Sequence, residues 1–168
     1  MLAGVLGGAG VVLAGLLVIV GSSFAGADDG TPEVGECVAI TDDSKDDLEY
    51  ETTGCGTAAS DHKVAQVRQN YTSCGNGDYS EITQGSTRLC LIPDVAVGDC
   101  QRLPGATSGG VSVPTGIDTK VPCGSPEADV KIVTSVRSGI GESACPEDTE
   151  NYSAFNDPPK TICLKWLH

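Results

Sequence analysis

Large side chains are scarce in this sequence, with two Phe, one Trp, four Tyr and one Met in 168 residues. An apolar core of ordinary depth is hard to build from so few, so a compact fold needs stability from elsewhere. Basic residues are scarce too: ten Lys and Arg stand against 23 Asp and Glu, a formal net charge of −13. That balance excludes nucleic acid, whose phosphates require a basic surface. It equally excludes adsorption to anionic lipid by charge. No CxxC occurs, so the paired attacking and resolving thiols of an exchange enzyme are missing. No GxGxxG or GxxxxGK occurs, which removes the phosphate-binding loops of nucleotide enzymes. GGVSVP at 109–114 lacks the second glycine of a GxSxG nucleophile elbow. The sequence indicates no cofactor, no metal and no small-molecule ligand.

Charge is missing altogether from Leu2 to Phe24. An apolar run of that length spans a hydrocarbon core as a helix, which takes about 20 residues. Residues 1–27 are expected to be a single-pass transmembrane anchor. The alternative is a signal segment cleaved after Ala27, since Ala25-Gly26-Ala27 suits a signal peptidase, though no Lys or Arg precedes the run. Either reading places the chain from about residue 28 onward outside the cytoplasm, with 28–33 as a linker. All eight cysteines (Cys37, Cys55, Cys74, Cys90, Cys100, Cys123, Cys145 and Cys163) follow this segment. An even number in a small exported domain predicts disulfides. Zinc ligands normally come in close pairs, and only His62 and His168 could join the cysteines.

The chain is a duplication. VGECVAI at 34–40 answers VGDCQRL at 97–103, and CGTAASDHKVAQV at 55–67 lies over CGSPEADVKIVTS at 123–135. RLCLI at 88–92 answers TICLK at 161–165. The four cysteines of one copy fall in order over the four of the other, giving modules at 34–93 and 94–168. Each copy reads as a strand bearing the first cysteine (Val34–Ile40; Val97–Leu103), a variable loop, and a second strand ending at Cys55 or Cys123. The alternating run HKVAQV or VKIVTSV follows as the clearest strand. A loop or helical turn comes after the third cysteine, where Pro146, Glu147 and Asp148 suit a helix start. A last strand carries the fourth. The fold class is mostly β, with a small α+β arrangement as the variant: two tandem disulfide-stapled β-rich modules after one transmembrane helix. Closing strands one and two as a hairpin opposes Cys37 to Cys55 and Cys100 to Cys123. The same logic pairs Cys74 with Cys90 and Cys145 with Cys163, although eight cysteines allow 105 connectivities. Each bridge contributes on the order of 3 kcal/mol in the chain-entropy picture.

VG(D/E)C, then a cysteine followed by a short A-x-K-V strand, then a C…(R/I)-C-L ending, resembles the septum-formation and LppU-like domains of actinobacterial cell-envelope proteins. The resemblance runs from Val34 to about Trp166 in both copies and implies a tethered protein exposed outside the membrane. No cysteine ends the apolar segment, so a lipoprotein anchor is not supported. The histidine common after the second cysteine is His62 in the first copy and Val130 in the second. His62 is read as a surface residue at a strand start. Ten acidic residues and one Lys lie between Asp28 and Glu51 without the spacing of a calcium loop. They are read as a solvated loop, with Asp42, Asp43, Asp46, Asp47 and Trp166 the candidate contacts for a partner. The expected role is a non-enzymatic binding or scaffolding protein, an accessory subunit of a larger envelope or membrane protein complex, lodged in the bilayer through residues 2–24. An envelope enzyme using His62, or a purely structural wall protein, are the alternatives.

Overall fold

A computed structural model describes residues 30–43, 48–70, 72–104, 116–137 and 140–167. Within them the regular secondary structure is β apart from one 3-10 turn. The first copy contributes β1 (Cys37–Asp43), β2 (Leu48–Thr53), β3 (His62–Gln69), β4 (Ser80–Gln84) and β5 (Thr87–Pro93). The second contributes β6 (Cys100–Arg102), β7 (Thr119–Val121), β8 (Val130–Val136), β9 (Asn151–Asn156) and β10 (Pro159–Trp166). The two sheets have the same order, β2-β1-β3-β5-β4 and β7-β6-β8-β10-β9. Among the described residues no helix is long and apolar enough to cross a membrane. The apolar segment 2–24 lies outside them.

The four disulfides are Cys37–Cys55, Cys74–Cys90, Cys100–Cys123 and Cys145–Cys163, the pairing the hairpin reasoning predicts. Each joins at least one deeply buried sulfur, Cys37, Cys74, Cys90, Cys100 or Cys163, to the sheet it staples. Three expectations change. Each copy has five strands rather than four, because β4 and β9 pair with β5 and β10 between the third and fourth cysteines. In SEITQ only Ile82 is buried, so this edge strand carries too little alternation to stand out. The first strands begin at Cys37 and Cys100, not at Val34 and Val97. The helical turn is a 3-10 turn over Glu142–Ala144, before Cys145 rather than after it, and Pro146–Thr149 forms a reverse turn.

The repeated Val-Gly-acid-Cys is a turn followed by a strand start. Glu36 N donates to Glu33 O at 3.1 Å, and Asp99 N to Ala96 O at 3.1 Å. Gly35 and Gly98, at φ 97° and 100°, take the left-handed third position of a type II turn. The acidic side chain closes the turn by accepting from the amide three residues back, at 2.8 Å for Glu33 N to Glu36 and 2.9 Å for Ala96 N to Asp99. Both glycine amides then donate across, Gly35 to Val64 O and Gly98 to Ile132 O. The cysteine follows as the first strand residue.

Two apolar clusters fill the molecule, and neither is confined to one copy. Val38, Val64, Ile82, Leu89 and Leu91 of the first copy take in Ile117 of the second. Val130, Ile132, Phe155, Ile162 and Leu164 of the second copy pack with Ala65 and Ile92 of the first. Alternate residues of a strand face opposite ways, so Leu91 and Ile92 serve different clusters. Strands β3 and β5 are therefore covered on both faces, which is why LCLIP is apolar without interruption and why successive residues Val64 and Ala65 are both buried.

Candidate functional site: the seam between the copies

Two of the polar residues that sequence reading singles out, His62 and Asp43, lie where the copies meet. Asp61, the residue before β3, accepts from Ile40 N at 2.8 Å with one carboxylate oxygen and from Lys120 N at 2.7 Å with the other. Its counterpart Asp129 accepts from Leu103 N at 2.7 Å. The shared aspartate thus pins the first strand of each copy, and in the first copy it also grips β7 of the second.

His62 is not a surface residue. Its side chain is fully buried, because β1 and β5 flank the start of β3 and Asp118 covers it. Nε2 lies 3.1 Å from Asp118 Oδ1, while Nδ1 has no hydrogen-bond partner among the described residues. Asp118 also accepts from Ser80 Oγ at 3.2 Å and, through Oδ2, from Gln101 Nε2 at 2.8 Å. Burial raises the pKa of that carboxyl, but the charge and hydrogen bond of His62, its own backbone and Ser80 outweigh it and hold Asp118 below the usual carboxylate range. Gln101 aligns with Val38 and Val130 with His62, so in the second copy an apolar residue replaces the histidine and a polar one faces it from elsewhere. With its ring enclosed and its Nε2 on Asp118, and no hydroxyl or thiol bonded to Nε2 among the described residues, this histidine fastens one copy to the other. A general base would need reach to a substrate proton.

Asp118 escapes sequence reading because it ends a loop rich in Gly, Ser and Pro. Its signal is isolation: no other carboxylate lies between Asp99 and Glu127. Farther along the seam, the segment Asn76–Tyr79 docks on β9. Asp78 N donates to Ala154 O at 3.0 Å and Ala154 N to Asp78 Oδ2 at 2.7 Å. The Tyr79 hydroxyl donates to Asp157 O and accepts from Asp157 N, both at 2.8 Å. Tyr79 and Phe155 meet edge to face at 5.4 Å between ring centres. Gln66, buried on β3, donates to Asp157 O at 3.0 Å.

Of the candidate partner contacts, Asp43 is paired with Arg102 of the second copy. Asp42 is exposed, and Asp46 and Asp47 lie outside the described residues. Trp166 is 42% exposed and Leu167 40%, at the end of β10. Val34 and Val97 are 61% and 63% exposed at the tips of the two equivalent turns. Among the described residues, the one close grouping of metal-ligand types is Cys37, Cys55 and Asp94, and its two sulfurs are bonded to each other. Comparison with known protein families, curated proteins and solved structures finds no match.

Proposed function

We propose that this chain is an extracytoplasmic binding or scaffolding protein, held at the membrane by residues 2–24, and an accessory subunit of a larger envelope assembly. The resemblance to septum-formation and LppU-like domains supports the envelope location. The observation that carries the reading is the exposed Trp166–Leu167 pair on a disulfide-stapled frame. Aromatic side chains presented from a rigid strand end are the anchors that protein interfaces favour. The polar groups around Asp118 and Tyr79, by contrast, are taken up in holding the copies together. The test is native pull-down of the full chain in mild detergent with mass spectrometry. A stoichiometric membrane protein, lost with Trp166→Ser while the fold is retained, is expected. A monomer with no partner, or a partner indifferent to that substitution, overturns the proposal.

A further inference from the structure

Cations in this chain are few, and their placement is uneven. Four of the ten Lys and Arg pair with carboxylates within the described residues: Arg88 with Glu81, Arg102 with Asp43, Lys120 with Asp99 and Lys165 with Asp148. Three others, Lys63, Arg137 and Lys160, line one groove of about 360 Å³ that crosses the seam. None of the three has a carboxylate within ion-pair distance among the described residues, in a protein with more than two acids for every base. The one acid of the groove is Asp94, whose Oδ2 already accepts from Gly56 N and Ser60 Oγ, each at 2.5 Å. Lys160 is anchored by donating to Pro93 O at 2.8 Å. Burial depresses its ammonium to about 8, Arg137 and Lys63 adding to the depression and Asp94 opposing it.

Such an arrangement destabilises the empty fold, since like charges are gathered where a carboxylate could have relieved them. Functional sites accept that kind of cost. Three cations less one carboxylate leave a local charge of +2, which matches a phosphoryl dianion and exceeds what a carboxylate can neutralise. The guanidinium of Arg137 supplies the forked donors that phosphate oxygens take up, and Lys63 and Lys160 supply point charges. Ile92, Pro93, Val95, Pro158 and Pro159 give the groove apolar walls, so charges inside it are less screened than on open surface.

The geometry points to a binding site for a phosphate group in the groove between the two copies, held by Lys63, Arg137 and Lys160. It is independent of any protein partner.

The test is isothermal titration of the full chain in dodecyl maltoside with inorganic phosphate, and with acetate for comparison, at low ionic strength. Phosphate is expected to bind and acetate to bind at least tenfold more weakly. Arg137→Gln and Lys63→Gln should each weaken phosphate about tenfold or more, the loss expected for a charge-assisted contact. Lys131→Gln, at the matching position of the second copy, should leave it unchanged. Both groove variants alter exposed side chains, and an unchanged circular dichroism spectrum shows that they fold. Mixed micelles containing phosphatidic acid separate the sources of the group. Competition with free phosphate assigns the site to a lipid headgroup and its absence to a soluble phosphate, and either supports the site. No phosphate binding, equal binding of acetate, or an equal loss with Lys131→Gln overturns it.

Discussion

Asp118→Ala should loosen the two copies from each other more than any other single polar change. The carboxylate accepts from three side chains, His62 at 3.1 Å, Ser80 at 3.2 Å and Gln101 at 2.8 Å. Two of the three belong to the opposite copy. A neutral hydrogen bond contributes about 1 kcal/mol net, and one to a charged acceptor about 1.5 kcal/mol or more. Truncation also strands buried donors, so the expected loss is about 3–4 kcal/mol. With a urea slope near 1.5–2 kcal/mol per molar, the midpoint should fall by about 2 M, read by Trp166 fluorescence and far-UV circular dichroism. Asp118→Asn keeps an acceptor oxygen of the same shape and should lose about half as much. A pH arm follows from the depressed carboxyl. Its folded pKa lies below the unfolded value of 3.8, so the stabilisation is fully present above that value and is lost as pH falls through the folded one. The wild type should therefore lose stability more steeply below about pH 4 than Asp118→Asn. A double-mutant cycle with His62→Ala should give a coupling of at least about 1 kcal/mol. Strict additivity, or a loss below about 0.5 kcal/mol for Asp118→Ala, would refute the role assigned to this contact.

Three further outcomes are expected. Phe155→Ala removes a fully buried ring from the cluster shared by both copies and should cost about 3–5 kcal/mol in the same urea assay. In Lys160→Met the alkaline part of the stability curve should flatten. The folded ammonium is lowered to about 8 against 10.5 unfolded, so the wild type gains on the order of 3 kcal/mol between those two pH values. Intact mass after alkylation without reductant should show no added groups, and after reduction in denaturant it should show eight.

The duplication, the strands around the cysteines and the disulfide pairs were legible because they depend on local rules. A cysteine at the start of one hairpin strand can reach only what the hairpin brings opposite, and the copies check each other. The seam was not legible. Nothing in HKVAQV separates a residue buried by its own sheet from one buried by the other copy, so His62 reads as a strand-start surface residue when Asp118, 56 positions later, encloses it. Lys63, Arg137 and Lys160 are single cations in three unrelated stretches, and only the packing of β3 beside the ends of β8 and β10 makes them neighbours. The edge strand β4 hid for a third reason, because a strand paired on one side only needs few apolar residues, and in SEITQ only Ile82 is buried.

The way the copies share apolar surface also makes the two of them unequal. The inner face of the second sheet rests on the outer face of the first, through Ala65 and Ile92. That contact joins unlike surfaces, and unlike-surface contacts between repeats can in principle continue into an open-ended stack. Cys90 aligns with Cys163, so the position of Ile92 is filled in the second copy by Lys165, which is exposed and ion-paired to Asp148 at 3.7 Å. Where the first copy offers its neighbour an apolar side chain, the second offers a solvated ion pair at the same position, so the two sheets share a fold but not the chemistry of that face.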